Sequence, residues 1–335
     1  MKLLVLTLKR ALWFLPTVVG LIIITFIISR IIPADPVALV AGDTATPAQV
    51  AALRAKLGLD QPLPMQLLNY FEGLLRGDFG RSLFTTRPIA DDLMHRLPAT
   101  IELTLAAMLF TMVVGIPLGV ISAMRRNSLL DHALRVVTVS GLAIASFWLG
   151  IMLQLWLAMQ WDWLPLAGRI EGFKPTDITG MYTVDSLLTG NWSAFASAAA
   201  HLILPALTLA FPALATVVRF TRAGVLDVVQ SNFVLYERAM GFPPVLITWK
   251  YILRNALIST VTQIGLLFGI LLAGTVVIET VFNWPGIGYY AVSSILLSDY
   301  NAIMGFTIWS GVIFIIVNLL VDIGHTFIDP RESGA

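Results

Sequence analysis

Cysteine is absent from the 335 residues of this chain, and charged residues make up only 12% of them. The absence of cysteine excludes disulfides, iron–sulfur clusters and thiol catalysis. Soluble proteins contain about 25% charged residues, whereas this chain is 57% hydrophobic and has a mean hydropathy of +0.84. The composition therefore excludes a soluble globular domain and indicates a membrane protein with several spans.

Motifs for nucleotide binding and hydrolysis are absent too. No glycine is followed directly by lysine, so the chain has no P-loop, and no G-x-S-x-G sequence occurs. The four histidines never have the spacing of metal ligands. We therefore predict that the chain is not an enzyme, binds no cofactor or metal itself, and has no nucleic acid partner.

Six segments are apolar and long enough for the hydrocarbon core of a lipid bilayer, which a helix of about 20 residues crosses. The fourth is short and contains Pro205 and Pro212, so we expect it to be buried where neighbouring helices satisfy its backbone. The sequence predicts an all-α membrane protein with six transmembrane helices. The predicted spans are 11–32, 100–123, 136–160, 202–218, 258–282 and 302–323.

The distribution of lysine and arginine predicts the orientation. If the N-terminus lies in the cytoplasm, 12 basic residues fall in cytoplasmic segments, while the outside loops 161–201 and 283–301 hold only Arg169 and Lys174. Segments longer than about 60 residues largely escape this rule, so 33–99 is left out of the comparison. We predict that both termini are cytoplasmic.

The longest outside segment, 33–99, is predicted to be a large, partly helical periplasmic loop. Thr46 followed by proline is typical of a helix start, and this helix should stop at Gly58. A second amphipathic helix is predicted over 64–75, closed by Gly77. The predicted domains are 1–32 (N-terminus and first span), 33–99 (periplasmic loop domain) and 100–335 (core transmembrane domain with the cytoplasmic loop 219–257).

Residues 219–257 form the least apolar part of the second half of the chain and contain five basic residues. Few helix breakers occur over 225–239, which is predicted to be helical. Gly241 suits the position after a helix end, and the two prolines that follow Phe242 prevent continuation. The pattern predicts a helix, a sharp turn, and a second helix from about 245 that returns to the membrane.

This segment resembles the cytoplasmic EAA loop of permease subunits from bacterial ABC importers, in the dipeptide, oligopeptide and nickel branch. Residues 232–241 and 253–258 carry the resemblance, with Arg238, Ala239 and Gly241 matching in the first part. Leu235, Glu237 and Met240 stand where the family has arginine, a small residue and lysine. Further similar stretches are 57–64, 76–83, 96–103 and 279–289.

The resemblance implies a type I ABC importer permease fold and a place in the bacterial inner membrane. It implies a second homologous permease subunit, one or two cytoplasmic ABC ATPase subunits that carry ATP and Mg, an extracytoplasmic substrate-binding protein and the lipid bilayer as partners. The implied activity is import by alternating access, with di- or oligopeptides as cargo. Nickel, opines, glutathione and oligosaccharides remain open. The implied coupling residues are Phe233, Val234, Tyr236, Glu237, Arg238, Ala239, Met240, Gly241, Phe242, Arg254 and Asn255.

Two further groups are candidates for function. The turn after the fifth span is a candidate pathway or gate, and a turn in the large loop is a candidate contact with the binding protein. Both groups also have a structural interpretation, as a satisfied carboxylate with an interfacial tryptophan and as a solvated turn with a local ion pair. The candidates are Glu279, Trp284, Pro285 and Gly286 for the gate, and Asp78 and Arg81 for the contact.

Two other classes of function are kept as alternatives. An ion-coupled secondary transporter usually needs ionisable groups near the membrane midplane, whereas here such residues lie near the ends of the spans. Uptake that collapses with the ion gradient would identify it. A non-transport membrane assembly or anchoring protein would tolerate substitutions throughout the bundle interior.

Overall fold

The computed structural model describes residues 2–31, 46–56 and 58–328, and in this part the chain is helical apart from turns, loops and one isolated β-bridge. Expectations for 32–45, 57 and 329–335 lie outside it. The helices are α1 (Lys2–Ile31), α2 (Pro47–Lys56), α3 (Leu63–Leu75), α4 (Ile89–Met124), α5 (Leu129–Ala143), α6 (Ser146–Leu153), α7 (Tyr182–Leu188), α8 (Trp192–Val229), α9 (Asn232–Ala239), α10 (Pro244–Leu246), α11 (Leu253–Val281), α12 (Ile287–Leu296) and α13 (Tyr300–Ile328).

Four described helices, α4, α8, α11 and α13, are long and apolar enough to cross a membrane. The bent pair of α5 with α6 and its π-helical continuation Gln154–Gln160 adds a fifth. In α1 the apolar stretch Pro16–Arg30 is shorter. The all-helical class and the presence of several spans are thereby confirmed.

The third predicted span differs from the expectation of one straight helix over 136–160. Its two halves, Leu129–Ala143 and Ser146–Gln160, meet at an angle of 107°. The backbone at Ile144 and Ala145 is extended, which interrupts the helical hydrogen bonds without any proline. A run of apolar residues gives no warning of such a bend.

The fourth predicted span lies in α8 and is the most buried of the four long apolar helices. In its most apolar window 67% of residues are buried, compared with 22–44% in the other three. Pro205 and Pro212 both lie inside the continuous helix. The prediction that this span is buried is confirmed, although the helix is longer than expected.

Residues 1–98 and 285–316 form the first of two compact units. Its core contains Ile89, Leu93 and Tyr290. The two helices expected in the large loop are present. α2 begins after Thr46, whose backbone N–H donates to the Gln49 side chain, and Gly58 and Gly77 both have the positive φ expected of helix-terminating glycines.

Residues 99–284 and 317–335 form the second unit. Its helices α8 and α11 have the most extensive contact of any pair. The core between them and α4 includes Leu103, Leu204 and Phe282. The division into domains at 32 and 99 stays a prediction.

Candidate functional site

The segment that follows α8 forms a separate short helix, α9. The chain leaves α8 at Val229, and Ser231 adopts an extended conformation before α9 begins at Asn232. The prediction of one helix over 225–239 is therefore wrong in its middle, because 225–229 belong to α8, 232–239 form α9, and residues 230–231 separate them. No proline or glycine marks the break, and the one local signal is Ser231, a residue type favoured immediately before a helix.

The end of α9 is the turn that the sequence predicts. Gly241 has φ of +79°, which a glycine adopts without steric cost. Its N–H donates to the carbonyl oxygen of Arg238, and the N–H of Phe242 donates to that of Glu237. These two bonds form a Schellman motif, and they fix the direction in which the chain returns through Pro244.

The side chains of α9 and its turn are mostly exposed. Only Val234 is buried, at 1% exposure, while Leu235 and Tyr236 are 69% and 65% exposed. A helix that is this apolar on its outer surface normally has a partner, because monomeric surfaces rarely carry large contiguous apolar patches. The exposed large apolar side chains of this segment, which we call the α9 surface, are Phe233, Leu235, Tyr236, Met240, Phe242 and Val245.

Val234 anchors α9 to the rest of the second unit. It belongs to a buried cluster with Val120 and Ala123 at the end of α4 and with Val225 of α8. Next to this anchor lies an open cleft of about 320 Å³. Its lining residues are Met124, Arg238, Phe242, Pro244, Ile247 and Thr248.

The remaining coupling candidates surround this turn. Phe242 packs edge to face on Tyr251 with ring centroids 6.1 Å apart. Asn255 donates to the Tyr251 carbonyl oxygen at 2.8 Å, and both Asn255 and Arg254 are exposed. Within the part of the chain described, the Glu237 Oε2 atom is buried without a hydrogen-bond partner.

The two gate candidates in the second unit are buried. Glu279 is fully buried and accepts a hydrogen bond of 2.6 Å from the Thr100 hydroxyl. The Trp284 indole N–H donates to the carbonyl oxygen of Ala99 at 2.8 Å. In this conformation both side chains join residues 99–100 of α4 to the C-terminal end of α11, and both are shielded from solvent.

Pro285, Gly286, Asp78 and Arg81 belong to the first unit. Pro285 is exposed, and Gly286 precedes α12 in an extended conformation. Asp78 accepts from the Gly80 N–H at 2.8 Å, which makes a local turn. Arg81 is exposed beside it, so both side chains are accessible for the predicted contact.

A buried ion pair that sequence reasoning missed lies near Glu279. Arg169 donates from Nε and Nη2 to Glu102 Oε2, at 3.0 and 2.5 Å. Thr183 donates from its backbone N–H and its hydroxyl to the other carboxylate oxygen, at 2.7 and 2.6 Å. The guanidinium also lies 3.8 Å from the centroid of the Tyr182 ring. The loop before α8 is thereby tied to α4 at Glu102.

Asp185 stabilises the same loop through hydrogen bonds to its backbone. Its carboxylate accepts hydrogen bonds from the N–H groups of Ile178, Thr179 and Gly180 and from the Thr179 hydroxyl. Burial opposes its ionisation, but these hydrogen bonds outweigh that cost and hold the pKa of Asp185 below its ordinary value. The loop is thus ordered by charges that are already satisfied.

Comparison with known proteins identifies the family. Residues 115–334 match the binding-protein-dependent transport system inner membrane component, and residues 3–104 match the N-terminal part of such a membrane component. Together the two matches cover nearly the whole chain.

Individual relatives match almost the full length. The chain is 44% identical over 327 residues to the "Probable D,D-dipeptide transport system permease protein DdpB" of Escherichia coli K12, covering 97% of this chain and 96% of that protein. It is 36% identical over 329 residues to the dipeptide transport system permease protein DppB of E. coli K12, with 97% of each chain covered. It is also 36% identical over 322 residues to the glutathione transport system permease protein GsiC of Pectobacterium atrosepticum, with 96% of each covered. The chain therefore belongs to the family of inner-membrane permease components of binding-protein-dependent transport systems.

Proposed function

We propose that this chain is one of two homologous permease subunits in an ATP-driven importer of the bacterial inner membrane, and that it docks cytoplasmic ATPase subunits through α9. The cargo we propose is a dipeptide or short oligopeptide. The chain supplies part of the translocation pathway. ATP and Mg bind to the ATPase subunits, and an extracytoplasmic binding protein delivers the cargo.

The α9 surface carries this proposal. A short helix with one buried anchor and several exposed apolar and aromatic side chains has the character of an interface, since aromatic residues and methionine are enriched at the buried centre of protein contacts. The Schellman motif fixes the helix end and Val234 fixes its face, so the surface is held ready for a partner. Exposed Arg238 adds a charge at the edge of that surface.

The absence of charge along most of α4 supports a membrane-crossing topology. The 22 residues that follow Glu102, up to the end of the helix at Met124, include no charged residue, and 22 residues correspond to about 33 Å at 1.5 Å per residue. This matches the thickness of a hydrocarbon core, about 30 Å. We propose six spans formed by α1, α4, the α5–α6 pair, α8, α11 and α13, with both termini in the cytoplasm.

This orientation places α9 in the cytoplasm and the loop that contains Arg169 outside. The gate candidates then lie near the outer membrane boundary, where we propose a gate formed by Glu279, Trp284, Pro285 and Gly286. Asp78 and Arg81 would face the binding protein. The second homologous permease subunit would complete the pathway.

The relatives support peptide cargo, because the names of two of them specify dipeptides. Glutathione is a second candidate, favoured by the 36% identity to a glutathione permease. Both are small molecules with a peptide bond and charged ends. Screening ATP hydrolysis by the assembled importer against dipeptides and glutathione separates the two.

The experiment that tests the proposal is extraction of the tagged chain from its native membrane in a mild detergent, followed by identification of the proteins that accompany it. We expect a second six-span permease and one or two P-loop ATPases. Recovery of the chain alone, or only with copies of itself, would contradict the proposal and turn attention to ion-gradient-driven uptake. The variant Leu235→Asp tests the α9 surface itself. It should abolish recovery of the ATPases and leave recovery of the second permease unchanged.

A further inference from the structure

A buried carboxylate lies where α8 leaves the helix bundle towards α9. Asp131 is fully buried at the start of α5. It accepts hydrogen bonds from the Ser122 hydroxyl, the Asn127 N–H and the Arg135 guanidinium. Arg222 adds a bidentate pair of hydrogen bonds, from Nε at 2.9 Å and from Nη2 at 3.1 Å. One side chain thus joins the end of α4, the loop between α4 and α5, and the last turns of α8.

The two arginines differ in how much each depends on Asp131 to compensate its charge. Arg135 is nearly half exposed, so water can solvate it. Arg222 is mostly covered, with 22% of its side chain exposed. Because a largely buried cation needs a partner, Arg222 depends on Asp131 for its charge compensation, and this fixes the α8 backbone to the α4–α5 loop.

Close packing reinforces the tie one turn away. A Cβ atom at Gly119 of α4 would lie 2.6 Å from Thr221 Cβ and 2.9 Å from the Val218 carbonyl oxygen of α8. The two helices therefore touch through a glycine. Val234 of α9 is buried against Val120 in the same region. Side chains that pack this tightly move together, since protein interiors are as dense as crystals of small molecules.

We propose that Asp131 is a positioning residue for energy coupling. By holding Arg222 it makes the last turns of α8, from which α9 follows, one rigid body with the end of α4 and the start of α5. A displacement of α9 is then passed to several spanning helices at once. Without the Asp131–Arg222 tie, α9 and its ATPase move while part of the bundle stays behind. This inference rests on the proposed docking of ATPases at α9.

A purely structural role and a positioning role predict different results for paired substitutions. Asp131→Asn leaves Arg222 without its charge partner, whereas the double variant Asp131→Asn with Arg222→Gln removes both charges. If Asp131 only stabilises the fold, the double variant should recover both protein yield and transport. If the tie transmits movement, the double variant should recover yield but remain uncoupled.

The test uses the complete importer reconstituted in liposomes with its ATPases and binding protein. The readouts are ATPase recovery with the permease, ATP hydrolysis, and dipeptide uptake per ATP hydrolysed. Asp227→Asn, an exposed carboxylate on α8, is the matched control and should behave as the unmodified chain. For Asp131→Asn and for the double variant we expect normal ATPase recovery and a fall in uptake per ATP of at least about fivefold, the lower range of coupling between sites.

Unchanged uptake per ATP in either variant would overturn the inference. If Asp131→Asn alone fails to accumulate, the double variant carries the decision. Failure of the unmodified chain to recover any ATPase would instead contradict the proposed function, so the two failures are distinguishable.

Discussion

The two ends of the second unit are built differently. At the end near the loop before α8, the charges of Glu102, Arg169 and Asp185 are buried and each has its hydrogen-bond partners within the same unit. At the α9 end, the charge of Asp131 is also satisfied internally, but the α9 surface beside it is apolar and exposed. The first end has its charges satisfied internally, whereas the second presents an apolar surface that is exposed in the part of the chain that the structure describes.

The difference shows where exposed apolar area has a functional meaning in a membrane protein. On a membrane-spanning helix, exposed leucine and valine side chains are the ordinary condition, because lipid surrounds such a helix. On α9, a helix of eight residues after the end of α8, the same exposure cannot be assigned to a span. Internal charge pairing therefore stabilises the loop end. At the α9 end, we attribute the exposed apolar side chains to the proposed binding of an ATPase subunit.

The largest expected effect breaks the completed end. Glu102→Gln leaves the Arg169 guanidinium buried without its carboxylate, and removal of one partner of a buried pair typically costs about 3–5 kcal/mol. We expect the free energy of unfolding, measured by denaturant titration in mixed micelles, to fall by that amount. Glu72→Gln is the control, because its pair with Arg76 is exposed and should contribute below about 1 kcal/mol. Equal losses for the two variants would contradict the assignment.

A smaller effect is expected at the α9 end, where close helix packing accompanies the Asp131–Arg222 pair. Gly119→Ala places a Cβ atom 2.6 Å from Thr221 Cβ, and overpacking of this kind costs about 1–3 kcal/mol. Gly274→Ala is the matched change in α11, where the new Cβ would lie 3.6 Å from Leu209. This ordinary contact should leave the higher helix propensity of alanine, up to about 1 kcal/mol, as a gain. Thermal unfolding should shift in opposite directions for the two variants, and a shift of both in the same direction would refute the packing argument.

The smallest effect is a pH dependence confined to the loop end. Because hydrogen bonds lower the folded-state pKa of Asp185, its contribution to stability is present above the unfolded-state pKa of about 3.9 and is lost as the pH falls through the folded-state pKa. Asp185→Asn removes this titration. Unfolding measured at pH 6 and pH 3 should show a greater loss of stability for the unmodified chain than for the variant. Equal losses would show that Asp185 does not contribute in this way.

Local sequence signals predicted the local structure well. Gly241 and the prolines after it correctly predicted the end of α9. Thr46 predicted the start of α2, and Gly58 and Gly77 predicted the ends of α2 and α3. Each of these signals acts within a few residues. The apolar runs likewise placed the helices, because the length needed to cross a bilayer is a simple physical requirement.

Long-range pairing could not be predicted. Arg169 and Glu102 are 67 residues apart in sequence, and Arg222 and Asp131 are 91 apart. Composition suggests that buried charges need partners, but it does not say which. The 107° bend of the third predicted span and the break before α9 were missed for a related reason. Neither break contains the proline or glycine that marks a helix end in sequence.

The central claim is that an ATPase covers the α9 surface, whereas the loop end needs no partner from the cytoplasm. Because the chain contains no cysteine, labelling of a single introduced cysteine tests this claim most directly. Single cysteines introduced by Tyr236→Cys on α9 and Phe173→Cys in the exposed loop would be labelled with a maleimide in detergent, with and without the ATPase subunits. We predict that the ATPases slow labelling at position 236 strongly and leave labelling at position 173 unchanged. Equal labelling rates at position 236 with and without bound ATPase would contradict the claim.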